Sequence, residues 1–218
     1  LGRCSVTEPN LDGISAQVRA QGVEGGWLQT SPEYHMKRLL AAGSGSIYQI
    51  SKVFRNGERG SRHNPEFSML EWYRTGFDDE ALMTEVGDLV CGWLKCSRPN
   101  VTSYRQAMID WAGVDPFVVS QTDLHQRCRQ WLEPEQLQDL SRDGCLDLLM
   151  SFAVEPNLGN ETPVFITQYP ASQASLARIS SVDGFDVAHR FELYVSGLEL
   201  CNGYWELTNA KEQRARFE

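Results

Sequence analysis

Apolar and polar side chains change places along this chain in two rhythms. In EFSMLEWYR (66–74) they alternate, so that Phe67, Met69, Glu71 and Tyr73 fall on one face of an extended segment. SIYQISKVF (46–54) has similar strand composition. A loop rich in glycine and arginine joins the two runs, which predicts a long hairpin. Helical patterns lie on either side. Ser31 as N-cap and Pro32 at the first helical position lead into EYHMKRLLAA, with a stop near Gly43. Asp78 caps a helix through ALMTEVGDLVCGWL, and Ser103, Thr122 and Ser141 open further helices as far as about Ala153. Strand composition returns in VFITQY (164–169), RFELYV (190–195) and LELCNGYWEL (198–207), and Asn209 caps a last helix in AKEQRARFE. Hairpin-linked strands with helices segregated around them predict an α+β fold on an antiparallel sheet. Residues 1–218 read as one domain with a mainly helical insertion at about 98–155.

Composition narrows the class. A chain of 218 residues, 41% hydrophobic and 10% aromatic, can bury one sizeable core and reads as soluble and globular. No run approaches the roughly 18 apolar residues of a membrane span, and LGRCSVTEPN has neither the basic flank nor the apolar centre of a signal peptide. The start resembles the interior of a longer chain. Cys4, Cys91, Cys96, Cys128, Cys145 and Cys201 include no C-x-x-C pair, which favours buried free thiols in a reducing cytoplasm over disulfides or zinc. A formal charge of −9 argues against a broad nucleic-acid-binding face and leaves room for a local basic cleft at Arg55, Arg59 and Arg62.

That cleft has two readings. The arginines could form a solvated hairpin tip. Against this, Arg55 directly follows an apolar strand end, and the next strand places a carboxylate, Glu71, on a face with two aromatics and a methionine. A charge on such a face is costly without a partner and marks a pocket. Guanidinium groups fork onto phosphate oxygens and an aromatic floor stacks on a purine, so a nucleotide triphosphate fits the second reading.

Glu192, Glu199 and Glu206 recur at intervals of seven. Ser196 and Gly197 look like a two-residue turn, which would pair Val195 with Leu198, Tyr194 with Glu199 and Glu192 with Cys201. Glu192 and Glu199 then become diagonal neighbours on one face, roughly 7 Å apart at Cα. Either both are exposed to solvent, or a cation lies between them, and hard oxygen ligands suit Mg²⁺ on the phosphates of ATP. Glu206 lies beyond Asn202-Gly203, where a bulge leaves its face open.

VFRNGERGSRHNPEFSMLEWYR resembles motif 2 of the class II aminoacyl-tRNA synthetases, and TSPEYHMKRLL with LELCNGYWELTNA is similar to their lysyl branch. More narrowly, TSPEYHMKRLLAAG, HNPEFSMLEWYR, VEPNLG and YPASQASLARIS resemble the elongation factor P lysine ligases, which attach β-lysine to a lysine of elongation factor P. The resemblance implies a class II synthetase-like antiparallel sheet flanked by helices, ATP and Mg²⁺ as cofactors, β-lysine or lysine as substrate, a homodimer and a cytoplasmic protein. Elongation factor P would be the acceptor rather than tRNA.

By the same resemblance Arg55 would bind the α-phosphate and be catalytic, and Arg62 would reach the γ-phosphate. Asn56, His63, Asn64, Glu199 and Leu200 would contact ATP, with Phe67 stacking on adenine. Ser31, Glu33, Glu71, Tyr73 and Glu206 would hold the substrate amine, and Glu192 and Glu199 would hold the metal. Two departures stand out. The family's acid two positions after the arginine is Gly57 here, with Glu58 one step later and expected to face away from the base. Motif 3 and most of motif 1 lie outside the sequence. A lysyl-tRNA synthetase catalytic domain and an inactive binding module remain the alternatives.

Overall fold

The computed structural model describes residues 2, 11–17, 25–57, 60 and 63–217. The chain divides into two compact units, Leu1–Gly76 and Phe77–Glu218.

In the first unit, β1 (Ser15–Ala16) pairs antiparallel with β2 (Gly26–Trp27), and α1 (Glu33–Ala41) follows. The helix begins one residue later than expected. Pro32 occupies the cap position, while Ser31 Oγ accepts the Glu33 N–H at 3.0 Å, and Gly43 ends the helix at φ +87°. The predicted hairpin is present: β3 (Ile47–Phe54) and β4 (Glu66–Tyr73) pair antiparallel from Phe54↔Glu66 to Ile47↔Tyr73. Its period-2 pattern sets the two faces. Tyr48, Ile50 and Lys52 point to solvent, whereas Val53 is fully buried and Phe67, Met69 and Glu71 are half-buried.

The second unit is built on a five-stranded sheet. α2 (Asp79–Leu94) starts at Asp78, whose Oδ1 accepts the Ala81 N–H at 2.9 Å. β5 (Asn100–Ser103) pairs parallel with β6 (Val164–Pro170). β6 pairs antiparallel with β8 (Phe185–Val195), and β8 pairs on its other edge with β7 (Ile179–Val182) and β9 (Leu198–Tyr204). The sheet is therefore not wholly antiparallel. β5 lay hidden inside the stretch read as helical because four residues, NVTS, carry too little pattern to separate them from the Ser103 cap.

Helices α3 (Tyr104–Ala107), α4 (Gln121–Cys128), α5 (Pro134–Gln138) and α6 (Arg142–Leu149) fill the middle, and π-helical turns follow α3 and α6. Ser103 and Ser141 cap as expected. The cap of α4 is Ser120 rather than Thr122, because Ser120 Oγ is the acceptor that meets the Asp123 N–H. α7 (Ala210–Phe217) starts on Asn209, whose Oδ1 accepts from Lys211 and Glu212. Leu124, Leu146, Leu149, Ile166 and Tyr194 form the centre of the core. Cys128 and Cys145 are buried free thiols as expected; Cys91, Cys96 and Cys201 are only partly covered, and Cys4 lies outside the described residues. No helix among the described residues is long and apolar enough to cross a membrane.

Candidate active site

Each unit carries a polar constellation. In the first, Arg55 follows the last residue of β3, and its backbone N–H donates to Pro65 O at 2.9 Å, closing the mouth of the hairpin. Its guanidinium lies 5.2 Å from the Phe67 ring centroid, and Nε donates at 3.4 Å to the carbonyl of Thr30, a buried residue. The cation is thus held over an aromatic floor. Asn56 is fixed by Asp12, which accepts from both the Asn56 N–H (2.8 Å) and Nδ2 (2.7 Å). Gly57 turns at φ +75°, a conformation that disfavours the acid expected there. His63 and Asn64 are exposed; Arg62, Arg59 and Glu58 lie outside the described residues, and so does the expected orientation of Glu58.

Four residues beyond Phe67 on the same face of β4, Glu71 receives Ser31 Oγ on Oε2 and Tyr73 Oη on Oε1, both at 2.8 Å. Among the described residues its hydrogen-bond partners are hydroxyls, with no cation bonded to it. Burial raises its pKa above the ordinary carboxylate value; the two hydroxyl bonds lower it less, Glu33 nearby raises it further, and the Lys37 ammonium, which is bonded to Glu33, lowers it slightly. Glu33 itself is paired with Lys37 at 2.7 Å, one helical turn on. A carboxylate desolvated in this way and lacking a bound cation gains most from a ligand that brings an ammonium. Ser51, across from Met69 on the same face, keeps a buried Oγ with no hydrogen-bond partner among the described residues.

The second constellation lies on β8 and β9. Ser196 (φ 51°) and Gly197 (φ 71°) form the two-residue turn, and Val195↔Leu198 and Tyr194↔Glu199 pair as expected. Beyond them the register differs from the expectation: a bulge lets Leu193 pair with Cys201, so Glu192 meets Asn202 rather than Cys201. Leu200 is the extra residue and is exposed. Gly203 sits opposite Phe191 so closely that a Cβ would collide with the ring.

The bulge has a second effect. Counting along β8 in steps of two, Tyr194, Glu192 and Arg190 share a face with Glu199, Asn202 and Tyr204, and the antiparallel bridge at Ala177 carries Glu206 on past Tyr204 with the same parity. The three glutamates therefore belong to one face, which settles the side left open for Glu206.

Their surroundings differ. Glu192 is buried: Oε2 accepts from Tyr169 Oη (2.5 Å) and Tyr194 Oη (2.6 Å), and Oε1 pairs with Arg190 Nη2 at 2.5 Å. Burial, followed by the Glu192 charge, pushes both tyrosine hydroxyls far above their ordinary range, so they remain donors. Arg190 also donates to Gln173 O at 3.0 Å and lies 4.6 Å from the Tyr169 ring centroid. Glu199 is exposed and Glu206 half-exposed. The sequence reading missed Arg190 and Tyr169; the period-2 spacing of Arg190 to Glu192 was the signal that could have identified the pair.

Residues 18–218 match the family of tRNA synthetases class II (D, K and N). The chain is 49% identical over 223 residues to the elongation factor P–(R)-β-lysine ligase of Edwardsiella ictaluri, a match covering all of this chain and 68% of that protein. It is 51% identical to the ligase of the same name from Pasteurella multocida over 88% of this chain and 59% of that protein. For the Sodalis glossinidius ligase the figures are 46%, 100% and 68%. The chain therefore belongs to the class II tRNA synthetase family.

Proposed function

We propose that the protein is an ATP-dependent ligase that activates (R)-β-lysine as its adenylate and transfers it to a lysine side chain of elongation factor P. The observation that carries the substrate class is Glu71: a half-buried carboxylate held by Ser31 and Tyr73, raised in pKa, with no cation bonded to it among the described residues. It takes the side-chain ammonium of the amino acid, with Glu33 adding negative potential. The relatives' names supply the acceptor.

In this reading ATP is a substrate, and its adenine stacks on Phe67 while Arg55 faces the α-phosphate. An oxygen of the β-lysine carboxylate attacks the α-phosphorus, the bond to the β-phosphate oxygen breaks and pyrophosphate leaves. Arg55, already fixed by Thr30 and the Phe67 ring, stabilises the charge that builds on the phosphoryl oxygens without reorganising. The acceptor amine then attacks the mixed anhydride and AMP leaves. Asn56, His63, Asn64 and Arg62 complete the nucleotide contacts.

Magnesium would neutralise phosphate oxygens, and within the second unit the β8–β9 face offers the hard carboxylate oxygens that suit such an ion. Glu192 already has three donors, one of them a guanidinium, so it fixes that face, and the exposed Glu199, with Glu206 at the same parity, would be the residue to hold the ion. Cytoplasmic location and a homodimer complete the proposal.

The test is transfer of radiolabelled β-lysine by the full-length protein to elongation factor P and to lysine tRNA, side by side. The proposal expects label on elongation factor P far faster than on tRNA. Efficient charging of tRNA with no label on elongation factor P would make the chain the catalytic part of a lysyl-tRNA synthetase. Failure to exchange pyrophosphate into ATP would make it an inactive binding module.

A further inference from the structure

Helix α2 ends in an unusual arrangement of sulfur. Cys91 lies in its last turn, and Lys95, at the C-cap in the left-handed region (φ 56°), donates its N–H to the Cys91 carbonyl at 2.9 Å. That reversal brings the next residue, Cys96, back against the helix, and the two Sγ atoms stand 3.6 Å apart. The Cys96 thiol points its hydrogen at Cys91 Sγ, and the Cys91 thiol donates to the Ser97 carbonyl at 3.0 Å. A disulfide needs about 2.05 Å between sulfurs, so a rotation of side chains on an exposed helix end closes the gap. Both cysteines are partly exposed and flanked by Trp93 and Leu94, which are 72% and 51% exposed, so a small oxidant reaches them. Cys128 and Cys145 are sealed in the core at 0% exposure.

We propose that Cys91 and Cys96 are an oxidant-sensitive modification site, a dithiol that closes reversibly to a disulfide across the end of α2. With a peroxide as oxidant the step balances in two stages. One thiol sulfur attacks the peroxide oxygen, the O–O bond breaks, and a sulfenic acid and one water form. The second sulfur then attacks the sulfenic sulfur, the S–O bond breaks and a second water leaves. At 3.6 Å either sulfur can meet the oxidant and the other resolve it, while burial and the neighbouring Cys96 raise the Cys91 thiol pKa. The turn at Lys95 holds the resolving partner in place beforehand.

The experiment treats the full-length protein with hydrogen peroxide, blocks free thiols with an alkylating agent, digests and maps by mass. The expected product is a peptide carrying a Cys91–Cys96 link, about 2 Da lighter than its reduced form and restored by dithiothreitol. Cys128 and Cys145 stay unoxidised. Cys96→Ser and Cys91→Ser, conservative changes at partly exposed positions, each abolish the link. Phenylarsine oxide, which bridges close thiol pairs, binds the native protein at one equivalent and neither variant. Separate alkylation or separate sulfinic acids at positions 91 and 96 with no linked peptide would overturn the proposal, as would faster oxidation of Cys128 or Cys145.

Discussion

Glu71 and Glu192 are two carboxylates on strand faces among tyrosines, and they are partnered in opposite ways. Glu192 has its cation built in: Arg190 at 2.5 Å, with Tyr169 and Tyr194 filling the other oxygen. Glu71 has two hydroxyls and no bonded cation among the described residues, and its pKa rises because burial outweighs them. A carboxylate neutralised from within holds structure together; one left to hydroxyls is arranged for something that arrives. The residue types are nearly the same at both; the difference is that Glu192 has a guanidinium bonded to it, whereas Glu71 feels only the field of Lys37, whose ammonium is bonded to Glu33.

The largest effect should come from breaking the closed site. Glu192→Ala leaves the Arg190 guanidinium, 20% exposed, without its counter-charge, and such a loss costs about 3–5 kcal/mol. Urea unfolding of the full-length protein measures it. A loss under about 1 kcal/mol would mean the pair is no structural clamp.

Next is the rate. Arg55→Ala should slow pyrophosphate exchange into ATP by on the order of 100- to 1000-fold, the usual cost of one preorganised charge-stabilising group, with little change in stability. An unchanged exchange rate would remove Arg55 from the chemistry.

Glu199→Gln should weaken the magnesium dependence of that exchange by on the order of tenfold, while Glu192→Gln should affect stability more than magnesium. Equal magnesium shifts in both variants would restore Glu192 as a direct ligand.

The smallest effect is in protons. Because the Glu71 pKa is raised from its ordinary 4.5 in the folded protein, the fold binds the extra proton and its contribution to stability is fully present below that value, then is lost as pH rises through the raised one. An incoming ammonium favours the ionised form, so β-lysine binding in that window should release protons, up to one per site. Calorimetry in buffers of different ionisation enthalpy reads the release, and Glu71→Gln should abolish it.

Much of this was legible in the sequence. Period-2 alternation placed Phe67, Met69 and Glu71 on one face, and the positive-φ pair Ser196-Gly197 was visible as a turn. The bulge at Leu200 was not, because one extra residue leaves no trace in hydrophobic spacing, and it gave Glu192 a different partner from the one expected. β5 was missed for its shortness and its parallel pairing. The Arg190 clamp is barely visible in the sequence, because nothing in composition tells a carboxylate with an internal cation from one without, and only the period-2 spacing to Glu192 hints at the pair.

The contrast between the two carboxylates is tested most directly by measuring KM for β-lysine and the unfolding midpoint together in Glu71→Gln. The expected result is a KM raised by roughly 10- to 150-fold, the loss of a hydrogen-bonded charge pair of about 1.5–3 kcal/mol, with the midpoint unchanged or higher at neutral pH. An unchanged KM with a lowered midpoint would show that Glu71 is a structural carboxylate like Glu192 and that the amine is recognised elsewhere.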